Sequence, residues 1–159
     1  MISKRLAEML TAQIASELSA HMIYQAVSIY FRRQSLTRWG KLYFDQSVEE
    51  ATHANKIIDF LIDQDVAFEL PKLPGARTEF KSPLDAVRTT LANEQKVTGQ
   101  FHAMAKAALD EGDQSSFQFL QWFLAEQIEE ERTAQALVDL VASGINLFQA
   151  EPLLDSITE

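Results

Sequence analysis

The chain has 159 residues, 47% of them hydrophobic and none of them cysteine, which suits one domain with a sizeable core and excludes disulfides, thiolate metal sites and iron–sulfur clusters. A formal net charge of −9 speaks against nucleic acid or an anionic membrane as partner and favours cations instead. No stretch has the length of a membrane span, and Glu8 and Gln13 interrupt any apolar signal core behind the basic start, so the expectation is a soluble cytoplasmic protein.

Ser3 to about Gln34 reads as a first long helix, free of Pro and Gly. Its core stripe, at spacings of three and four, is Leu6, Leu10, Gln13, Glu17, Ala20, Tyr24, Val27 and Phe31. His21 falls off that stripe and is expected at the surface or an interface. Ser35-Leu36-Thr37 is a tight connection with Thr37 as expected N-cap. A second helix, about Arg38 to Asp65, is then an antiparallel neighbour. Its stripe is Trp39, Tyr43, Gln46, Glu50, His53, Ile57 and Phe60.

Residues 66–81 carry Pro71, Pro74 and Gly75 and no helical period. They read as a long crossover, which makes the second and third helices parallel. Ser82-Pro83 opens the third helix, with Asp85 in its first turn, and Glu111-Gly112 closes it. Its stripe is Leu84, Val87, Leu91, Glu94, Thr98, Phe101, Ala105 and Ala108. Asp113 caps a fourth helix that runs to about Ser143 and stops at Gly144. Its stripe is Leu120, Phe123, Gln127, Glu130, Ala134, Leu137 and Val141. Beyond it, Ile145, Leu147, Phe148, Leu153 and Leu154 are too apolar for water, and Pro152 limits the segment to a short, interrupted fifth helix. It is expected to bury against a neighbouring subunit; the alternative is packing across the end of its own bundle. The fold class is therefore all-α: a four-helix bundle over about 3–143 with a long crossover between helices two and three, plus a C-terminal segment 145–157. All of 1–159 is expected to form a single domain.

A shift of 77 residues maps Glu17 onto Glu94, Glu50 onto Gln127 and His53 onto Glu130. The chain thus reads as two helical hairpins related by a pseudo-twofold axis. Glu50-Ala-Thr-His53 alone is short and common, and a buried hydrogen-bonded pair explains it as well as a ligand set does. Four helices, each with a polar group at mid-length on the buried side, make a site, because unpaired buried charge costs several kcal/mol. Carboxylate-rich bundle cores are where di-iron sites are built. Several carboxylates balance two ferrous ions, and one of them bridges. Glu17, Glu50 and His53 are assigned to a first metal, and Glu50, Glu94 and Glu130 to a second. Gln127 supplies no charge but can hydrogen-bond oxygen or water there. The Tyr24 hydroxyl can hydrogen-bond a ligand or its phenol can donate an electron; the alternative is a core aromatic with a satisfied hydroxyl. Glu49, Glu126 and Glu129, with Glu130 shared, can form an acidic ledge for a third iron, against the plainer reading of a solvated acidic face.

At Glu17 with Tyr24, at Glu49-Glu50-Ala-Thr-His53, at Glu94 and above all at Phe119-Leu-Gln-Trp-Phe-Leu-Ala-Glu126-Gln127-Ile-Glu129-Glu130-Glu131, the chain resembles the non-haem bacterial ferritins of the ferritin-like di-iron superfamily. The resemblance covers essentially the whole length. It implies a ferroxidase that oxidises Fe²⁺ with O₂ or H₂O₂ and stores ferric mineral inside a hollow homo-oligomeric cage of 24 subunits. Bacterioferritins repeat Glu-x-x-His on the fourth helix, where this chain has Gln127 to Glu130. They also follow the bridging Glu with a haem-binding Met; Ala51 stands there, so no haem is expected. The acids of animal threefold channels fall at Phe117 and Leu120. Miniature ferritins lack the tail, and rubrerythrins need Cys. A di-iron or di-manganese oxidase acting on an organic substrate, and a bundle without catalysis, are the other readings.

Overall fold

Each long helix begins where the chain supplies a partner for its first free N–H groups. In the computed structural model, which describes residues 2–158, the Ser3 hydroxyl accepts from the Leu6 N–H and starts α1, Lys4–Arg32. Ser82 does the same for the Asp85 N–H at α3, Pro83–Asp110. Asp113 does so for Ser116 at α4, Gln114–Ala142. Helix α2, Thr37–Asp63, differs from expectation: Leu36 stands at its N-cap and Thr37 is already helical. The cause is burial. Ser35 turns at φ 62, which brings the Leu36 N–H to the Phe31 carbonyl and puts the Leu36 side chain into the core at 3% exposure. Gly112 and Gly144 end α3 and α4 at φ 68 and 78, a conformation that favours glycine.

Helix α1 packs along α2, α3 along α4, and α1 along α3. Three cross-links fix the last pairing: Arg5 with Glu111, Ser16 with Gln100 and Tyr24 with Glu94. Rising numbers on α1 meet falling numbers on α3, so these two are antiparallel. Because α2 is antiparallel to α1, α2 and α3 run parallel, as a crossover over 64–82 requires. No strand occurs among the described residues, and no helix there is long and apolar enough to cross a membrane.

The apolar core is in two pieces. One holds Leu6, Leu10, Ile57, Leu61, Phe101 and Phe123; the other holds Val27, Phe31, Trp39, Tyr43, Val87 and Leu137. Between them lies a polar layer made of the mid-helix residues Glu17, Glu50, His53, Glu94, Gln127 and Glu130, all at 7% exposure or less.

The tail takes up the alternative in part. Helix α5, Leu147–Ala150, a 3₁₀ turn, Glu151–Leu153, and α6, Leu154–Thr158, fold across the end of their own bundle and bury part of their apolar set there. Trp39 is the reason. Its ring is fully buried, and its N–H needs an acceptor, which the Leu147 carbonyl provides at 3.0 Å. Arg38 reaches Glu151 and Asp155, and Ala150 and Leu154 join the core. Phe148 and Leu153 stay outside. Truncation after Gly144 should remove about 1.5–3 kcal/mol of Leu154 burial and leave an indole N–H unpaired at about 1–3 kcal/mol. Thermal melting should fall by roughly 10 °C, and Leu154→Ala should give part of that fall. Unchanged melting would mean that the tail does not hold this end of the bundle closed.

Candidate metal centre

The four helices deliver their polar groups to one level from four sides. Helical spacing places Glu50 and His53 on one face of α2 and Gln127 and Glu130 on one face of α4, while Glu17 comes from α1 and Glu94 from α3. Three groups of donor atoms lie within 4.8 Å of one another: Glu17, Glu50 and His53; Glu50, Glu94 and Glu130; and Glu49, His53, Glu126 and Glu130. The first two groups share Glu50. The third shares His53 and Glu130 with them and opens outward through Glu49. Glu129 does not join it. At about 100° per residue, the core-facing arc of α4 is centred on Phe123, Gln127, Glu130 and Ala134. Glu126 sits at the edge of that arc, and Glu129 falls beyond it into solvent.

The hydrogen bonds divide these carboxylates. Glu94 accepts at both oxygens, from the Tyr24 hydroxyl at one and from Gln127 Nε2, 3.1 Å away, at the other. Gln127 also donates to Thr98 Oγ1. Glu17 accepts at Oε1 from Gln13 Nε2, but its Oε2 has no partner. His53 Nδ1 stands 3.4 Å from Glu50 Oε2 and 3.6 Å from Glu17 Oε2 and makes no hydrogen bond. Buried donors and acceptors are nearly always paired. Orphaned oxygen and nitrogen atoms that converge on one point therefore indicate a missing partner. Carboxylate and imidazole ligands without thiolate suit a divalent first-row metal such as ferrous iron.

The model of the family described as "Ferritin-like domain" matches residues 7–143. The chain belongs to the ferritin family. It is 38% identical over 140 residues to the "Ferritin BfrB" of Mycolicibacterium smegmatis, covering 87% of this chain and 77% of that one. It is 32% identical to the "Bacterial non-heme ferritin" of Campylobacter jejuni, covering 99% and 96%. Among solved structures it is similar to the open pore ferritin of Archaeoglobus fulgidus, with a TM-score of 0.91 and 30% identity over 99% of this chain and 98% of that one. Iron storage, the role implied by the resemblance at Glu50 to His53 and at Glu126 to Glu131, goes with this membership.

In this ferritin the buried layer crowds four carboxylates and an imidazole away from water. Burial raises the Glu50 carboxyl well above the usual range; His53 pulls it down and Glu94 and Glu17 push it up. Burial also raises Glu94, partly offset by the bonds from Tyr24 and Gln127. Burial, Glu94 and Glu49 push Glu130 up to about 8. For His53, burial alone would lower the imidazole, but Glu17 and Glu50 overcome it and hold it at about 10. Burial, followed by Glu94 and Glu50, raises the Tyr24 phenol. The Tyr24 hydroxyl donates to Glu94 on α3, one of the residues assigned to the second metal. Two residues had no role assigned from sequence: Gln13 and Thr98, each a polar residue on a buried stripe four positions from a site Glu. That spacing was the signal available for both. Trp122 packs its ring 5.5 Å from His53, with Lys56 over it at 4.3 Å. His21, off the stripe, is partly buried and meets the Ser47 carbonyl.

Proposed function

We propose that each bundle is a ferroxidase centre in which Glu17, Glu50 and His53 hold one ferrous ion, and Glu50, Glu94 and Glu130 hold a second. Two irons are oxidised to Fe³⁺, and one O₂ takes both electrons and two protons to leave as H₂O₂; with H₂O₂ as oxidant, one H₂O₂ takes two electrons and two protons and leaves as two waters. The observation that carries this reading is the sharing of Glu50 by two buried donor groups whose Glu17 and His53 atoms lack partners. Tyr24 and Gln127 orient Glu94 from opposite sides. The chain's 1–159 would act as one such unit in a cytoplasmic, homo-oligomeric cage of 24 subunits that keeps the ferric mineral inside. Glu49 and Glu126, with His53 and Glu130, would offer a third iron a place beside the pair, and Glu129 would lend charge from outside it. An organic substrate has less support: a groove of about 830 Å³ between the start of α1 and the crossover, lined by residues such as Ala7, Thr11, Val66 and Phe68, touches none of the buried donors, and one of about 420 Å³ beside Gln46 reaches only the exposed Glu49.

Anaerobic Fe²⁺ titration followed by O₂ tests the reading. Two to three irons per chain oxidised in a fast phase is the expected result, and no fast phase would exclude a ferroxidase. Glu49→Ala with Glu126→Ala should leave two irons per chain and alter later turnovers. Two charges are lost there, each worth several kcal/mol at a few Å in an effective dielectric of about 20. Glu129→Ala should keep the parent stoichiometry. If the double variant also kept it, the ledge would be an ordinary solvated face.

A further inference from the structure

We propose that Gln13 is a positioning residue for the first metal position: its side-chain amide fixes the Glu17 carboxylate so that one chosen oxygen is presented to the ion. The inference rests on the two-metal reading above and adds a residue to it. Gln13 is 2% exposed on the buried stripe of α1, in line with Leu6 and Leu10, where an apolar side chain would pack as well. Burying an amide there is costly unless it is bonded. Its Nε2 lies 2.6 Å from Glu17 Oε1, one turn further along the helix. A carboxylate only accepts, so the amide N–H must face it. That bond occupies Oε1 and leaves Oε2, which has no partner and lies 3.6 Å from the equally unpartnered His53 Nδ1.

Glu94 shows what the arrangement controls. It is tied at both oxygens, by Tyr24 and by Gln127. Glu17 is tied at one only, so Gln13 supplies its single fixing bond. Without Gln13 the Glu17 side chain can turn about its own torsions, and either oxygen, or neither, meets the ion. The Glu94 side of the centre keeps both of its donors. The loss should therefore fall on one metal position and spare the other. Removing an outer partner that orients a ligand typically weakens metal binding by about 10- to 100-fold.

The test uses the full chain with Co²⁺ as probe, which occupies such sites without the oxidation that follows Fe²⁺. Binding is followed by calorimetry and by the visible ligand-field bands of the bound ion. The parent should bind two Co²⁺ in the buried centre. Gln13→Leu should weaken the His53-containing position by about 10- to 100-fold and shift its bands. The other position should keep its affinity, and metal-free melting should fall only modestly, because Glu17 Oε1 loses its one donor while a buried amide gives way to an apolar side chain. Gln13→Met, longer and more flexible, is the second variant should leucine not pack. A purely packing role would lower melting and leave the bands alone; that result, or parent-like affinity at both positions, overturns the proposal. His53→Ala is the control for the underlying reading. If it binds Co²⁺ as the parent does, or if the parent binds none, the two-metal centre itself is wrong and the inference goes with it.

Discussion

Glu50→Ala is expected to abolish the fast phase of Fe²⁺ oxidation, lowering the initial rate by about 100-fold or more, the scale of loss when reacting atoms are displaced by as little as an ångström. Glu50 is the member common to the two buried donor groups. Its removal takes an oxygen from both ions and also the link that sets their separation. The bundle should still fold. The alanine leaves a small cavity beside Ala54, but it also removes an acid whose burial already lifts its carboxyl far above the usual range, and these effects oppose each other. Metal-free melting should therefore move little while the chemistry is lost. His53→Ala removes a ligand from the first group and from the outer one but none from Glu50, Glu94 and Glu130, and should leave one tightly held ion per chain. Stopped-flow oxidation of the two variants beside the parent separates these outcomes. A fast phase that survived Glu50→Ala would show that the ions do not share this residue.

Some of this was written locally in the chain and some was not. The starts at Ser3, Ser82 and Asp113 could be read because a cap involves residues three apart and nothing else. The start of α2 could not, since it depends on Leu36 finding a place in the core built by other helices. Composition marked Ile145 to Leu154 as apolar, but that Ala150 and Leu154 find cover on their own bundle was decided by Trp39, more than a hundred residues away, needing an acceptor for its N–H. The convergence of Glu17, Glu50, His53, Glu94 and Glu130 followed from helical period and from the repeat between the two hairpins. The membership of the outer group did not. Sequence proximity suggested Glu129, whereas rotation about α4 turns it away and α2 offers His53 in its place. Gln13 was visible as a polar residue on an apolar stripe, but its partner had to be seen, because a buried amide can bond a neighbour on its own helix or one across the core.

Acidity and metal should act on stability in opposite senses. Glu130 is held at about 8 in the folded chain, against about 4.3 in an unfolded one. The folded state keeps the proton longer, so stability is lost as pH rises between those values. Glu50 and Glu94 shift in the same direction. His53, held at about 10 against about 6.5 unfolded, contributes stability that is full below the lower value and is lost as pH rises through the higher. All four therefore predict that the metal-free protein melts at a lower temperature near pH 9 than near pH 5, since the unfolded state binds fewer protons in that interval. Metal binding must displace those protons, so affinity should rise by about tenfold per pH unit for each proton displaced. The stabilisation from a fixed excess of Co²⁺, which grows as the logarithm of concentration over Kd, should therefore be far larger near pH 8 than near pH 6. Melting curves with and without Co²⁺ should diverge as pH rises. Parallel curves, or a metal-free form that gained stability from about pH 5 to about pH 9, would mean that the buried acids are not holding the protons that the ions displace.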